Sequence, residues 1–297
     1  MGAVTTTPTT LCGRPVAHDR ALVMAIVNRT PDSFYDRGAS FADDAARRRV
    51  EQVVAEGADI IDIGGVKAGP GELVDAGAEA DRVVPFTAWV RAEFPDIVIS
   101  IDTWRAAVAD EACEAGADLI NDTWAGADPE LMAVAARRGA GLVCSHTGGA
   151  APRTRPHRVR YGDDPDAVVD AVVEELSSAA ARAAVHGVRA DGIIIDPTHD
   201  FGKNTHHGLA LLRHLDRLVA TGHPVLMALS NKDFIGETLG VDLGDRLDGT
   251  LAATALAAEH GAAIFRAHEV AATRRVVEMV AAITGRRAPV RTIRGLA

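Results

Sequence analysis

The chain has 297 residues, a formal charge of −10, and 47% hydrophobic, 24% charged and only 4% aromatic side chains. An acidic balance argues against a general nucleic-acid surface, which would be basic, and no apolar run approaches the roughly 20 residues of a membrane span. Cys12, Cys113 and Cys144 are odd in number and lack CxxC spacing, which argues against a disulfide framework or a structural zinc site and fits a reducing cytoplasm.

Residues 1–20 lack the charged-then-apolar order of a signal peptide and read as a flexible tail. Short apolar runs follow at 21–28, 58–65, 97–102, 117–122, 141–146, 192–197, 224–230 and 262–268. Between them lie amphipathic stretches such as 43–57, 106–116 and 165–187, and several end on a glycine (Gly57, Gly116, Gly139, Gly187, Gly261) placed as a left-handed C-terminal cap. Continuous apolar strands separated by helices imply parallel strands buried on both faces. Eight such units in about 250 residues predict a single α/β domain, a (β/α)8 TIM barrel over 21–284, with an open doubly wound sheet as the competing arrangement. The basic stretch 285–297 reads as a C-terminal tail.

In such a barrel the active site lies at the C-terminal ends of the strands. Those ends carry Asn28, Asp102, Asn121 with Asp122, His146, Asp196, Ser230 with Lys232, and Arg266 with His268. A single Asp at a strand end is ordinarily a helix cap. Repetition around the ring instead supplies acceptors and amides for a heterocycle and cations for an anion, a combination suited to a heterocycle bearing phosphate. Arg266 and His268 are two apart and share one face of a strand, as a phosphate or diphosphate site requires, with an ion pair to Glu269 as the alternative. Asn28 is an oxygen ligand that magnesium accepts beside substrate phosphates. Cys144 and His146 also share a strand face, where a nucleophile pair competes with a buried structural cysteine.

"NRTPDSFYDRG" (28–38), "SIDTWR" (100–105), "INDTW" (120–124), "IDPTHDFGK" (195–203), "ALSNK" (228–232) and "FRAHE" (265–269) stand in chain order at these strand ends. Together they resemble the dihydropteroate synthase family over about residues 20 to 285. The resemblance implies that Asp102, Asn121, Asp196 and Lys232 hold the pterin ring, and that Asn28, Arg266 and His268 hold a diphosphate with Mg2+. It places Ser33, Phe34 and Asp36 in a mobile first loop, with Pro70, Ser230 and Lys232 flanking p-aminobenzoate. The implied reaction releases diphosphate from 6-hydroxymethyl-7,8-dihydropterin diphosphate as the amine attacks a carbocation-like methylene, with Asp102 stabilising the developing charge. Asp102 and Lys232 are the catalytic candidates, and a cytoplasmic homodimer joined through late barrel helices is implied.

The chain departs from the family pattern at four places. The second loop, G-G-E-S-T-R-P-G in the family, reads "GGVKAGPG" (64–71): Val66, Lys67, Ala68 and Gly69 replace Glu, Ser, Thr and Arg. Lost contacts of this kind cost about 1–3 kcal/mol each. In the pterin motif Gly-x-Gly becomes Thr198-His199-Asp200, adding bulk and a negative charge near the ring, and Asn231 replaces an Arg. The inserted stretch 146–162 carries Arg153, Arg155, Arg158 and Arg160, where an anion-binding loop competes with a solvated one. These departures are similar to a divergent second branch of the family found in actinobacteria, in which the folate reaction is weak or lost. Two alternatives stand beside that reading: transfer to a different acceptor or from a different diphosphate, and a non-catalytic ligand-binding barrel.

Overall fold

The computed structural model describes residues 9–30, 43–154, 159–164 and 166–294. A hairpin of β1 (Thr10–Leu11) and β2 (Arg14–Pro15) precedes the barrel strands β3 (Leu22–Asn28), β4 (Ile60–Gly64), β5 (Val98–Asp102), β6 (Leu119–Asp122), β7 (Gly141–Ser145), β8 (Ile193–Asp196), β9 (Leu226–Met227) and β10 (Ile264–Ala267). The eight barrel strands are parallel, in the order β8-β7-β6-β5-β4-β3-β10-β9. Pairing of Ile195 with Val225 joins the two outer strands and closes the ring, which rules out the open sheet. Between and after the strands lie α1 (Asp43–Ala55), α2 (Ala76–Glu93), α3 (Ala106–Glu114), α4 (Leu131–Arg138), α5 (Ala167–Val185), α6 (Thr205–Arg213), α7 (Leu215–Val219), α8 (Asp233–Leu239), α9 (Leu247–Glu259) and α10 (Val270–Ile283).

Alternation along each strand divides its side chains between two apolar cores. Val23, Ile61, Ile99, Ile120, Leu142 and Ile195 face the helices, whereas Leu22, Ile60, Val98, Leu119, Val143, Ile194, Leu226 and Ile264 fill the barrel interior. The five cap glycines take positive φ, from 65° at Gly139 to 118° at Gly116. β9 is shorter than the apolar run 224–230, although the Pro224 carbonyl still accepts from Ile195 N–H (3.0 Å).

The flexible tail expected over 1–20 does not extend to residues 9–20. The hairpin packs under the barrel, where Leu11 is fully buried against the interior core. Burying a leucine is worth about 1.5–3 kcal/mol. Cys12 N–H donates to the Asp191 carbonyl (3.2 Å), Gly13 N–H to Asp191 Oδ2 (2.8 Å), and Arg14 Nε to Asp118 Oδ1 (2.7 Å). Gly13 has φ 78°, and a Cβ there would lie 2.7 Å from the Arg189 guanidinium, so the turn requires glycine. Arg287 pairs with Asp19 at 2.6 Å, tying the start of the C-terminal segment to the same end.

Candidate functional site

Above the apolar interior layer, the inward positions become polar. Asp62, with no solvent exposure, accepts from Ser100 Oγ (2.6 Å), Asn121 Nδ2 (3.3 Å) and Arg266 Nε (2.6 Å). Arg266 Nη2 donates to Asp102 Oδ2 (2.8 Å), and Thr123 Oγ1 to Asp102 Oδ1 (3.0 Å). One guanidinium therefore ties β10 to β4 and β5, and burial pushes the Asp102 carboxyl up against the opposing pull of Arg266. The sequence reading passed over Asp62. Its signal was present, since Asp62 alternates with the inward-facing Ile60.

Asp196 ends β8, and its Oδ1 accepts from Thr198 N–H (2.7 Å), while burial pushes its pKa up to about 6. The turn that follows holds Thr198 at φ 53° and Asp200 at φ 68°, a left-handed backbone at the two places where the family pattern has glycine. The Asp200 carboxylate does not act as a free charge near the ring. It accepts from Asp233 N–H (2.6 Å) and Phe234 N–H (3.3 Å), capping α8. Phe201 stands edge-on to Trp124 with centroids 5.2 Å apart, and Lys232 Nζ lies 4.8 Å over its ring. Lys203 lies deep in this turn, and its Nζ donates to the His146 and Phe201 carbonyls, each at 2.8 Å.

Arg266 and His268 both face the opening, as their spacing requires. Burial, with Arg266 next in effect, pulls the His268 pKa down to about 3. His268 is therefore a neutral hydrogen-bonding group, and the cationic half expected of the pair rests on Arg266. The alternative partner Glu269 accepts instead from Ser230 Oγ (3.2 Å) and Asn231 Nδ2 (3.4 Å). Burial raises the Cys144 thiol to about 12, which leaves it a core residue and not a nucleophile. Asp122, paired with Asn121 in the sequence reading, accepts from Trp124 and Gly126 N–H groups and shapes the loop after β6.

These groups surround one cleft of about 740 Å3 at the C-terminal mouth of the barrel. Nine of the residues singled out from sequence line it: Asn28, Pro70, Asp102, Asn121, Asp196, Ser230, Lys232, Arg266 and His268. Ser33, Phe34 and Asp36 lie outside the described residues, as do Arg155 and Arg158. The second loop supplies Val66, Lys67, Ala68, Gly69 and Pro70 as one wall. Arg153 faces the back of that loop, donating from Nη1 to the Glu72 carbonyl (2.6 Å) and from Nε to the Gly69 carbonyl (3.4 Å). These donors serve backbone carbonyls, not the anion that the sequence suggested for the arginine loop.

Among the described residues no cluster of three His, Cys, Asp or Glu side chains is set for a metal ion. Asn28 nevertheless ends β3 at the cleft, close to Asp102 across Gly64. One amide oxygen suits magnesium that arrives with a diphosphate and keeps its waters, as that ion prefers.

The signature described as pterin binding enzyme matches residues 24–268, and the chain belongs to that family. Within it, the chain is a dihydropteroate synthase-like pterin-binding barrel. It is 68% identical, over 97% of its length and 91% of the other's, to the "Inactive dihydropteroate synthase 2" of Mycobacterium tuberculosis. The dihydropteroate synthase of Yersinia pestis, solved with a sulfonamide drug, has 33% identity and a TM-score of 0.86, covering 94% of this chain and 99% of that one. A dihydropteroate synthase of Coxiella burnetii in complex with pteroic acid has 32% identity and a TM-score of 0.82, covering 91% and 96%.

Proposed function

We propose that the cleft binds a dihydropterin diphosphate and that condensation with p-aminobenzoate is weak or lost. The observation that carries this is the contrast between two walls of one cleft. Asp102, Asn121 and Asp196 converge from three strand ends and Lys232 from the start of α8, while the second loop offers no hydroxyl and no guanidinium. In this reading Asn121 and Asp196 meet the donor and acceptor edges of the pterin, and Lys232 lies at its rim. Arg266 and neutral His268 receive the diphosphate, and Asn28 gives one oxygen to Mg2+, which would neutralise the leaving group. Phe34 and Asp36 belong to the first substrate loop, and Pro70 and Ser230 flank the acceptor.

Asp102 is the group to stabilise positive charge on the pterin methylene, and Lys232 is its catalytic companion. A diphosphate would compete for Arg266, whose Nη2 otherwise neutralises Asp102. The name of the mycobacterial relative agrees with a lost folate reaction. A second reading, transfer to a different acceptor, is favoured by Lys67, an ammonium on the cleft wall where the family pattern has a serine.

The barrel 21–284 is the functional domain in this reading, and the protein works as a homodimer in the cytoplasm. Exposed Leu256, Met279 and Ile283 on the adjoining α9 and α10 support a self-contact, and the three free cysteines support the compartment. Among the described residues no helix is long and apolar enough to cross a membrane.

Calorimetry with 6-hydroxymethyl-7,8-dihydropterin diphosphate and magnesium, followed by p-aminobenzoate and an assay of released diphosphate, tests the reading. Binding without release is the expected result. Release at the rate of an active synthase would remove the claim of lost condensation, and absence of binding would remove the pterin reading.

A further inference from the structure

Behind the cleft, three side chains form a line from its floor to the surface of α5. Lys203 is 2% exposed, and its Nζ donates to the carbonyls of His146 (2.8 Å), Phe201 (2.8 Å) and Thr198 (3.3 Å) and lies 2.9 Å from His146 Nδ1. His146 Nε2 is 3.2 Å from Glu175 Oε2, and the Glu175 side chain is 44% exposed.

Four acceptors surround a nitrogen that carries three protons as an ammonium and two as an amine. An amine accepting from a protonated Nδ1 would leave one acceptor short, as the ammonium does, so it is the Glu175 carboxylate beside Nε2, holding the ring proton there and leaving Nδ1 bare, that favours the charged form. Burial opposes it, pulling the Lys203 pKa down to about 7. An ammonium has no lone pair, so the His146 Nδ1 facing it must be bare. The ring's single proton then sits on Nε2, where Glu175 accepts it. Burial is the larger cause keeping His146 neutral, and the nearby Lys203 charge acts in the same direction.

We propose that Glu175, His146 and Lys203 form a positioning relay for the pterin pocket. Glu175 fixes the imidazole tautomer, the imidazole orients the Lys203 ammonium, and the ammonium clamps the turn from Thr198 to Phe201. That turn needs a clamp, because Thr198 and Asp200 hold left-handed backbone without the relief of glycine. The clamp sets the Phe201 ring, over which Lys232 Nζ lies, and steadies the turn that begins at Asp196. The relay thus acts on Asp196 and Phe201 of the cleft through Lys203, which lies in the cleft lining beside them. It rests on the pterin reading given above.

The test compares full-length Glu175→Leu and Glu175→Gln with the wild type. Glu175 is half-exposed, so both variants are expected to fold, Glu175→Leu with a lower thermal midpoint because the buried His146 Nε2–H loses its acceptor. Leucine removes the acceptor of the His146 proton, whereas glutamine keeps an acceptor oxygen. Glu175→Leu is expected to weaken calorimetric binding of the dihydropterin diphosphate by about tenfold, the loss of one charged hydrogen bond. Glu175→Gln is expected to restore most of that affinity. Equal weakening by both variants, or by neither, overturns the relay. Should the wild type bind no pterin, the function reading fails on its own, and the imidazole nitrogen resonances of His146 then decide. A single Nε2–H tautomer in the wild type that becomes mixed in Glu175→Leu supports the relay, and an unchanged tautomer overturns it.

Discussion

Arg266 donates Nε to Asp62 at 2.6 Å, anchoring a guanidinium of the barrel mouth on a carboxylate with no solvent exposure. Asp62 also accepts from Ser100 and Asn121, so one oxygen pair sets the rotamers of three neighbours on three strands. Removing Asp62 leaves Arg266 paired with Asp102, so the cost is that of the buried donors on Ser100, Asn121 and Arg266 left unsatisfied, about 1–3 kcal/mol for each that finds no new acceptor. Asp62→Ala is therefore expected to lose that much unfolding free energy in urea titration. Asp62→Asn, which keeps an acceptor, is expected to lose clearly less. Equal losses would mean that side-chain volume, and not the pairing, holds this layer.

The barrel was legible because both faces of each strand are buried, so β3 to β10 appear as continuous apolar runs. The polar strand ends were legible for the opposite reason: Asn28, Asp102, Asn121 and Asp196 each interrupt an apolar run, and they do so at the same end of strand after strand. Asp62 was hidden because it sits between Ile61 and Ile63 in the middle of a run, where only strict alternation marks it as inward. The β1–β2 hairpin was hidden because two-residue strands carry no period, and its order comes from long-range bonds to Asp118 and Asp191. His268 reads in sequence only as the partner of Arg266 in a phosphate site; its burial, with Arg266 beside it, is what makes it neutral.

Asp196 gives the fold a pH dependence of known sign. Its pKa is raised from 3.8 to about 6 in the folded protein, chiefly by burial. The folded state therefore binds this proton more tightly than the unfolded chain. The contribution to stability is full below the unfolded value and disappears as pH rises through about 6. The unfolding free energy of the wild type minus that of Asp196→Asn is expected to fall over this window. Parallel curves for the two proteins would mean that Asp196 is not desolvated.

Asp200 separates a capping role from a ligand role. Its carboxylate accepts from Asp233 and Phe234 at the start of α8, on a backbone with φ 68°. Asparagine keeps an acceptor oxygen and tolerates that backbone, so Asp200→Asn is expected to stay within about 0.5 kcal/mol of the wild type. Asp200→Ala loses the cap without relieving the backbone and is expected to cost about 1–2 kcal/mol. Pterin affinity is expected to be unchanged in Asp200→Asn. A large change there would return this carboxylate to the ligand.

The second loop offers the most direct test of how the site was altered. Arg153 grips its outer side through the Gly69 and Glu72 carbonyls, so the loop is held although its own hydroxyl and guanidinium are absent. The backbone leaves room for their return: a Cβ at Gly69 would meet only Lys67 Cε, at 3.9 Å, and Gly69 does not use the left-handed region. Ala68→Thr with Gly69→Arg is therefore expected to fold normally. Each restored contact is worth about 1–3 kcal/mol, so p-aminobenzoate affinity in the presence of the pterin diphosphate is expected to rise at least about tenfold. The new guanidinium stands beside Arg153, and like charges at close range oppose each other. Adding Arg153→Ala removes that repulsion and also the loop's anchor. A further gain in the triple variant would show that repulsion dominates, and a loss would show that the anchor does. If the double variant folds and gains nothing, the acceptor wall is not the limiting change, and the strained turn at Thr198 and Asp200 becomes the place where the transfer reaction was lost.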